Sequence, residues 1–332
     1  MGIYVFYVFL SLYWSYEGYK INTIREVVFS YLIPFIVALA AKNYVHQKDV
    51  FNKWVKHVAV CCVLLSIMSI IQFVLNLKID TMTAMEVRGE GTLGNSNLLA
   101  IFLVLNIPVF LYVIKRGLLS KKLGISILLI IGVGVVSTIS RKGIVTMLMT
   151  YIIFFVLTKQ YKIVIVLLIF FILSALVVLK EKHFAERFQS EELSHQITGR
   201  SRVIPIGMNL LKKNVLFGRG YKGFYHYAVG DFVDHKYDPH NNYITALVDY
   251  GLIGFFLFMN IFIIPLYRSI CSLSQKELFD DSKLRAITAI AIIFPFMASA
   301  FFAGGLMYIQ LITSILYTYF AVFAFNTETE KH

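Results

Sequence analysis

The sequence predicts an all-α, polytopic membrane protein with about ten transmembrane helices and one large extracytoplasmic loop. The 332 residues are 58% hydrophobic and have a mean hydropathy of +0.73, whereas soluble domains contain roughly 45–50% apolar residues. Long apolar runs recur along nearly the whole chain, and many reach the roughly 17–25 residues that cross a bilayer as a helix. Continuous runs such as residues 162–180 lack the alternating polarity of transmembrane β-strands.

Ten apolar runs are predicted to be membrane-spanning helices within a single membrane domain, residues 1–332. The first run has no basic leader and no small-residue cleavage site after it, so it is counted as a span and not as a signal peptide. The runs lie at residues 2–15, 24–41, 55–77, 97–114, 123–139, 143–158, 162–179, 242–266, 284–302 and 306–325.

The large loop covers residues 180–241 and is far longer than the other connections. Loops of this length inside compact proteins are usually functional. Within it, the segment Ser201–Lys213 has Ile206, Leu210 and other apolar residues at helical spacing. The loop is therefore expected to contain a short amphipathic helix at the membrane interface.

Positive charge predicts the orientation of the spans, because short cytoplasmic loops are enriched in Lys and Arg. With the large loop outside, the short inner connections carry fourteen Lys and Arg residues and the short outer ones carry six. The large loop and Arg141 are therefore expected on the extracytoplasmic side. An even number of spans then leaves both termini in the cytoplasm.

Several classes of function are disfavoured by the sequence. The formal charge of +12 comes from residues between apolar spans and not from one basic module, so nucleic-acid binding is not expected. The three cysteines, Cys61, Cys62 and Cys271, show no disulfide framework and no metal-ligand spacing. No histidine is paired with a carboxylate at metal-binding spacing, which argues against a zinc hydrolase and leaves no metal or other cofactor expected.

The large loop is rich in basic residues and holds five of the eight histidines. Positive charge there is not needed for orientation, so an anionic ligand such as a phosphate would explain it. The alternative for most of the lysines is that they are solvated or extend towards lipid headgroups. Arg141 differs, because it follows a tight turn between two apolar spans, where an ionisable group close to hydrocarbon is a functional candidate.

Two segments near the end of the large loop are of interest. The glycines of GRGYKGF, residues 218–224, indicate tight turns, and a dinucleotide site is disfavoured because no strand precedes them. Downstream, Pro239 cannot continue a helix, and Asn241 or Asn242 can cap the helix that follows. His240 then lies beside a helix N-terminus that favours anions, although an ordinary interfacial histidine is an equal alternative.

The segments GTLGNSNLLAIFLVLNIP, TISRKGI, TGRSRVIPIGMNLLKKNVLFGRGYKGF and HNNYITALVDYGLIGFFLF together resemble the O-antigen ligase and O-antigen polymerase superfamily over residues 91–258. The resemblance implies a GT-C-like, metal-independent membrane glycosyltransferase. Its donor would be a glycan on undecaprenyl pyrophosphate, transferred to a glycan acceptor at the outer face of the cytoplasmic membrane. Membrane lipid and a chain-length regulator protein are further expected partners.

The resemblance also assigns residues. Arg141 corresponds to the family's arginine at the outer end of a span, Arg200 to the arginine of its SGR-like segment, and His240 to the histidine of its HN motif. These three are expected to be catalytic. Asp249 stands where the family usually has glutamate, and its shorter reach argues against a direct role. Substrate-binding roles are expected for Arg202, Lys142, Asn241, Tyr243 and Arg219.

A polymerase of O-antigen, capsule or exopolysaccharide is the preferred interpretation, because the chain has no large soluble module for recognising a protein acceptor. An O-antigen ligase or an O-oligosaccharyltransferase with the same donor is the alternative within the family. A lipid-linked polysaccharide flippase is the alternative from another class, but it should show paired repeats and charged helices near the bilayer centre. Whether His240 acts as a general base or holds a phosphate oxygen is left open.

Overall fold

The computed structural model describes residues 1–45, 47–75, 77, 89–178, 204–228, 241–275, 280–301 and 310–325. All regular secondary structure in these residues is helical. The helices are α1 (Gly2–Ser11), α2 (Ile21–Tyr44), α3 (Lys48–Val74), α4 (Ser96–Lys115), α5 (Lys121–Ser137), α6 (Arg141–Leu157), α7 (Tyr161–Val178), α8 (204–212), α9 (Gly223–Tyr227), α10 (Asn242–Ser274), α11 (Asp280–Ala300) and α12 (Gln310–Tyr319). Short 3₁₀ or π turns extend α1 to Trp14 and α12 to Ala324.

Each of the ten apolar runs corresponds to a helix, with ends that differ by a few residues. Five helices in the described part of the chain, namely α2, α3, α4, α10 and α11, are long and apolar enough to cross a membrane. The predicted class, an all-helical multi-pass membrane protein, is therefore confirmed. The largest difference is at α10, which continues to Ser274, beyond the predicted end at residue 266.

The chain forms two compact units. The first consists of Met1–Ala40, Gln189–Pro265 and Ala300–Thr318. A group of buried tyrosines joins its helices. The Tyr7 hydroxyl donates to the carbonyl of Tyr250 at 3.0 Å, and the hydroxyls of Tyr31 and Tyr250 are 3.2 Å apart. The ring of Tyr4 lies 5.9 Å from the rings of both Tyr31 and Tyr250. Buried tyrosines need such partners for their hydroxyl groups, so this packing is specific.

The second unit consists of Ala41–Phe188, Leu266–Ser299 and Tyr319–His332. Every residue of α4 from Leu99 to Val113 is buried, and α4 contacts α3, α5 and α6. Small residues let α3 and α5 approach closely, since a Cβ on Gly134 would lie 2.6 Å from that of Ser66. The hydroxyls of Ser69 and Ser137 meet at 2.7 Å across the same interface. Small side chains and interhelical hydrogen bonds are typical of packing in membranes.

Two contacts within the second unit join connections that are predicted to lie on the same side of the membrane. The amide of Gly89 donates to the carbonyl of Ser137 at 3.0 Å, which joins two connections predicted to lie outside. Asp281 accepts from Arg116 at 2.7 Å, which joins two connections predicted to lie inside. The direction in which the spans cross the membrane stays a prediction.

The amphipathic helix predicted within Ser201–Lys213 is present as α8 over residues 204–212. Leu210 is buried in a cluster with Phe224, Ala228 and Val248, and Ile206 packs against that cluster. The apolar side of α8 therefore packs on α9 and α10.

Candidate functional site

The predicted site residues fall into three groups. Arg141 and Lys142 lie in the second unit, whereas Arg219, Asn241 and Tyr243 lie in the first unit. The remaining three, Arg200, Arg202 and His240, lie outside the described residues. The structure therefore shows the surroundings of five predicted residues, two in one unit and three in the other.

Arg141 and Lys142 are the first two residues of α6. Ser140 caps this helix, because its hydroxyl oxygen accepts from the amide of Gly143 at 3.2 Å. The N-terminus of a helix carries a partial positive charge that favours anions. The two side-chain cations thus add to a backbone already suited to a phosphate.

The N-terminus of α4 lies beside that of α6. The side chain of Asn95 caps α4 by accepting from the amides of Asn97 and Leu98 at 3.0 and 3.1 Å. The Ser140 hydroxyl donates to Oδ1 of Asn97 at 2.8 Å and so joins the two helix ends. A Cβ on Gly143 would lie only 2.5 Å from that of Ala100, so only glycine permits this approach. The GNSN and TISRKG segments therefore form one place, which we call the paired helix ends.

The turn before α6 is strained. Ile139 has a φ of 49°, a conformation that β-branched residues rarely adopt. Such strain persists only where the surrounding structure imposes it, and it concentrates at functional sites. Here it precedes the cap at Ser140 and the cation at Arg141.

Asn241 and Tyr243 begin α10. Oδ1 of Asn241 accepts from the amides of Tyr243 and Ile244 at 3.0 and 3.1 Å, which confirms the prediction of a cap at this place and selects Asn241 over Asn242. The Tyr243 ring packs 4.6 Å from that of Phe301. The side chain of Asn241 is thus engaged with the helix, and that of Tyr243 with an aromatic neighbour.

Helix α10 is interrupted at Gly251, whose φ and ψ are 64° and −168°. Residues 214–220, which we call the bracing segment, supply hydrogen bonds to both sides of the break. The amides of Arg219 and Gly220 donate to the carbonyls of Val248 and Asp249 at 2.8 and 2.7 Å. The amides of Leu252 and Ile253 donate to carbonyls of the same segment at 2.9 and 3.2 Å.

Satisfying these groups matters because an unpaired backbone group in a membrane costs several kcal/mol, so broken helices need partners from the protein. Gly218 also approaches Gly251 so closely that a Cβ on either would collide with the backbone of the other's segment. Gly218 and Gly220 both have positive φ, which confirms the predicted tight turns. Because the amides of Gly218, Arg219, Gly220 and Gly223 all donate to carbonyls, GRGYKGF does not form an amide cradle for phosphate.

Arg219 is held by a cation–π contact, with its guanidinium carbon 4.0 Å from the centre of the Tyr227 ring. Its Nε is buried and has no hydrogen-bond partner among the described residues. Buried donors without partners are rare, because a buried donor that makes no hydrogen bond costs roughly 1–3 kcal/mol. Arg219 therefore offers a fixed donor whose acceptor is not among the described residues.

Asp249 is fully buried beside the break in α10. Its Oδ1 accepts from the amide of Phe224 at 2.7 Å and so holds the start of α9 against α10. Asp249 therefore has a structural role beside the break, and the expectation that it has no direct role in catalysis stays a prediction.

Sequence reasoning missed two carboxylates in the N-terminal part of the first unit. Glu26 accepts from Lys222 at 2.6 Å and from the hydroxyl of Tyr221 at 3.4 Å. Glu17 lies 3.5 Å from Nε2 of His226 and accepts from Thr23 at 2.9 Å. These pairs join residues about two hundred positions apart, and no local pattern signals them. The charge of Lys222, which the sequence assigned to the basic loop, is therefore balanced within the protein.

Two ionisable groups here are shifted. The hydrogen bond from Thr23 lowers the pKa of Glu17 despite partial burial, and His226, Lys20 and Lys222 lower it further. Burial raises the pKa of Tyr221, and the negative charge of Glu26 adds to the effect. Both groups therefore keep their ordinary charge at neutral pH, with Glu17 ionised and Tyr221 neutral. Within the described residues, no three His, Cys, Asp or Glu side chains lie close enough together to hold a metal ion.

Comparison with protein families identifies part of the chain. Residues 125–259 match the family model described as O-antigen ligase. No curated protein sequence matches the chain. The matched region runs from α5 into α10 and includes Arg141, the bracing segment and the break at Gly251. The chain is thus a multi-pass membrane protein whose residues 125–259 match the O-antigen ligase family model, as the resemblance predicted.

Proposed function

We propose that the protein is a metal-independent polymerase of the glycosyltransferase type that uses a glycan carried on undecaprenyl pyrophosphate. It transfers this glycan to an acceptor sugar at the outer face of the cytoplasmic membrane, during O-antigen, capsule or exopolysaccharide assembly. The observation that carries the proposal is the paired helix ends, where two helix N-termini meet beside Arg141 and Lys142. Its α6 side lies inside the matched domain.

In the proposed reaction, a hydroxyl oxygen of the acceptor forms a bond to the anomeric carbon of the donor glycan. The bond from that carbon to the pyrophosphate oxygen breaks, and undecaprenyl pyrophosphate leaves with the electron pair. Arg141 and Arg200 stabilise the charge that develops on the leaving oxygen, which is the kind of electrostatic stabilisation that usually contributes most to catalysis. His240 takes the hydroxyl proton as general base, or holds a phosphate oxygen if it is protonated.

The other predicted residues have supporting functions in this proposal. Lys142 and Arg202 contribute positive charge for the pyrophosphate, and Arg219 contributes the buried donor described above. Asn241 acts by capping α10, which begins directly after His240. Tyr243 lines the same helix N-terminus and keeps its substrate-binding assignment as a proposal.

The proposed arrangement in the membrane is GT-C-like, with about ten spans and both termini in the cytoplasm. Residues 180–241 form the extracytoplasmic loop that contains α8 and α9, and the site faces the same side. The partners are the lipid-linked donor, the glycan acceptor, membrane lipid and a chain-length regulator, whereas nucleic acid is not a partner.

The decisive experiment supplies the purified, reconstituted protein with a glycan on undecaprenyl pyrophosphate and follows the product by gel electrophoresis and mass spectrometry. Lengthening of the lipid-linked glycan supports the polymerase. Transfer to lipid A core or to a protein instead identifies a ligase or an oligosaccharyltransferase. Movement of the intact lipid-linked glycan across the bilayer without any transfer would identify a flippase and refute the enzyme.

Variants test the assigned residues. Replacing Arg141, Arg200 or His240 by alanine should reduce transfer at least about 100-fold, as loss of one stabilising donor does in other enzymes. Lys121→Ala is the matched control for Arg141→Ala, because Lys121 also follows a serine cap as the first residue of a helix. Full activity in all three alanine variants, with normal membrane insertion, would refute the assignment.

The orientation is tested separately by labelling. In a variant with the three native cysteines replaced by serine, a single cysteine is introduced by Lys236→Cys, and another by Lys121→Cys. A membrane-impermeant thiol reagent added to intact cells should label the first and not the second. Labelling of the second alone would place the segment with His240 in the cytosol and contradict the proposed site.

A further inference from the structure

We propose that Tyr16, with the adjacent Glu17, forms a binding subsite for one pyranose ring of the glycan. This inference rests on the proposed function in so far as it takes a glycan as the substrate. It assigns a ligand-binding function to the connection between α1 and α2, which lies outside the matched residues 125–259.

The ring of Tyr16 is fixed with one face covered. It stacks on the imidazole of His226, with ring centres 4.9 Å apart and planes 17° from parallel. The ring of Tyr227 meets it edge-on at 5.7 Å. Although these contacts hold it, Tyr16 is 62% exposed. The ring therefore presents its opposite face to solvent.

His226, which supports Tyr16, is itself held in place. Its side chain is only 6% exposed, and its Nε2 lies 3.5 Å from Glu17. The ring of Tyr225 contacts it edge-on at 5.2 Å. Thr23 in turn donates to the second carboxylate oxygen of Glu17 at 2.9 Å. A platform that is rigid before binding loses little conformational entropy when a ligand is bound.

The chemistry of this place fits a sugar. The open face of an aromatic ring carries partial negative charge, and the C–H groups on one side of a pyranose carry partial positive charge, so the two surfaces attract. Carboxylates accept short, strong hydrogen bonds from hydroxyl groups. Glu17, the residue after Tyr16, is 35% exposed, so its carboxylate is accessible to sugar hydroxyls.

The competing explanation is that Tyr16 only anchors the chain at the membrane–water interface, where tyrosines are common. Interfacial anchoring requires an amphipathic ring, but it does not require a covered face, a buried histidine or an adjacent carboxylate. The two explanations differ in what loss of the ring should change, which is sugar affinity in one case and stability in the membrane in the other.

The test uses the full chain in detergent with Trp54→Phe, which leaves Trp14 as the single tryptophan of the sequence. Trp14 is two residues from Tyr16, and its Nε1 donates to the carbonyl of Phe217 at 3.2 Å, so its emission reports on this place. The probe is the mixture of oligosaccharides released by mild acid from the lipid-linked glycans of cells that express the protein. Equilibrium dialysis with the same labelled mixture gives a second measurement of affinity.

The expected result is a saturable change in emission and a Kd that rises at least tenfold in Tyr16→Ala. Tyr16→Phe keeps the ring and should bind within threefold of the parent protein. Tyr44→Ala is the matched control, because Tyr44 is also 62% exposed, and it should leave the Kd unchanged. An absence of saturable binding, or an unchanged Kd in Tyr16→Ala, overturns the proposal. So does a loss of thermal stability in Tyr16→Ala with unchanged affinity, which identifies an interfacial anchor.

The outcome is separable from that of the proposed function. In the reconstituted transfer assay, Tyr16→Ala should raise the KM for the acceptor at least tenfold while kcat stays within twofold. If the parent protein binds the oligosaccharides through Tyr16 but transfers nothing, the subsite stands and the glycosyltransferase is refuted. If the parent protein transfers glycan with the same KM in Tyr16→Ala, the glycosyltransferase stands and the subsite is refuted.

Discussion

The paired helix ends of the second unit and the braced break of the first unit solve the same problem by different means. At the paired ends, the side chains of Asn95 and Ser140, which directly precede α4 and α6, accept from backbone amides two or three residues away. At the break in α10, the bracing segment supplies backbone groups from about thirty residues upstream. The two places should therefore be disrupted by different substitutions. Replacing one capping side chain removes a cap, whereas the bracing segment is displaced only when an added side chain separates its backbone from that of α10.

The largest effect is expected from Gly251→Ala, which tests the braced break. A side chain there would require an unfavourable φ and would displace the bracing segment, so the variant should lose about 3 kcal/mol or more of stability. Unfolding followed by fluorescence-detected size exclusion after heating measures this loss. The control is Gly132→Ala in α5, where a Cβ would contact nothing within 4 Å. If both variants had the same melting temperature, the contact between the bracing segment and Gly251 would not contribute to stability.

A second, smaller effect sharpens the account of the first unit. Asp249→Ala leaves the amide of Phe224 without its acceptor in a buried place, at a cost of about 1–3 kcal/mol. Asp249→Asn retains an oxygen in the same position and should cost less than about 1 kcal/mol. Thermal melting of both proteins checks the order. An equal loss in the two variants would show that the charge of Asp249 matters and not the hydrogen bond to Phe224.

The paired helix ends should respond more weakly to a single change. Ser140→Ala removes the cap of α6 and the donor to Asn97, and caps contribute about 0.5–2 kcal/mol. Stability should fall by this amount, and transfer activity should also fall because Arg141 follows the cap directly. Ser120→Ala, whose cap hydrogen bond on α5 is longer at 3.4 Å, is the control and should change neither property measurably.

The smallest effect concerns pH. The pKa of Glu17 is lowered from its ordinary value of 4.5, so its ionised form is favoured by folding. Its contribution is complete above that value and is lost as the pH falls through the lowered pKa. The emission of Trp14 in the Trp54→Phe protein should therefore change in that acid range. Glu17→Gln should lack the change, and a persisting transition would assign it to another group.

The features that could be predicted from the sequence are those that depend on neighbouring residues. The ten helices follow from apolar runs, the cap at Asn241 from a polar residue before such a run, and the tight turns at Gly218 and Gly220 from glycine. The break at Gly251 was not foreseen, because a glycine inside an apolar run is equally compatible with a continuous helix. Contacts of Glu17 with His226 and of Glu26 with Lys222 were also missed, since pairs so far apart in sequence form only when the chain is folded.

The bracing segment and the cap of α10 together hold the two ends of one stretch of chain. The chain between Gly220 and Asn241 is held at both ends by a single helix, through the bond to Asp249 at one end and the cap of α10 at the other. Because both anchors lie on the same helix, the distance between the two ends of this stretch is set by α10 alone. A movement of α10 therefore carries both ends together and leaves that distance unchanged.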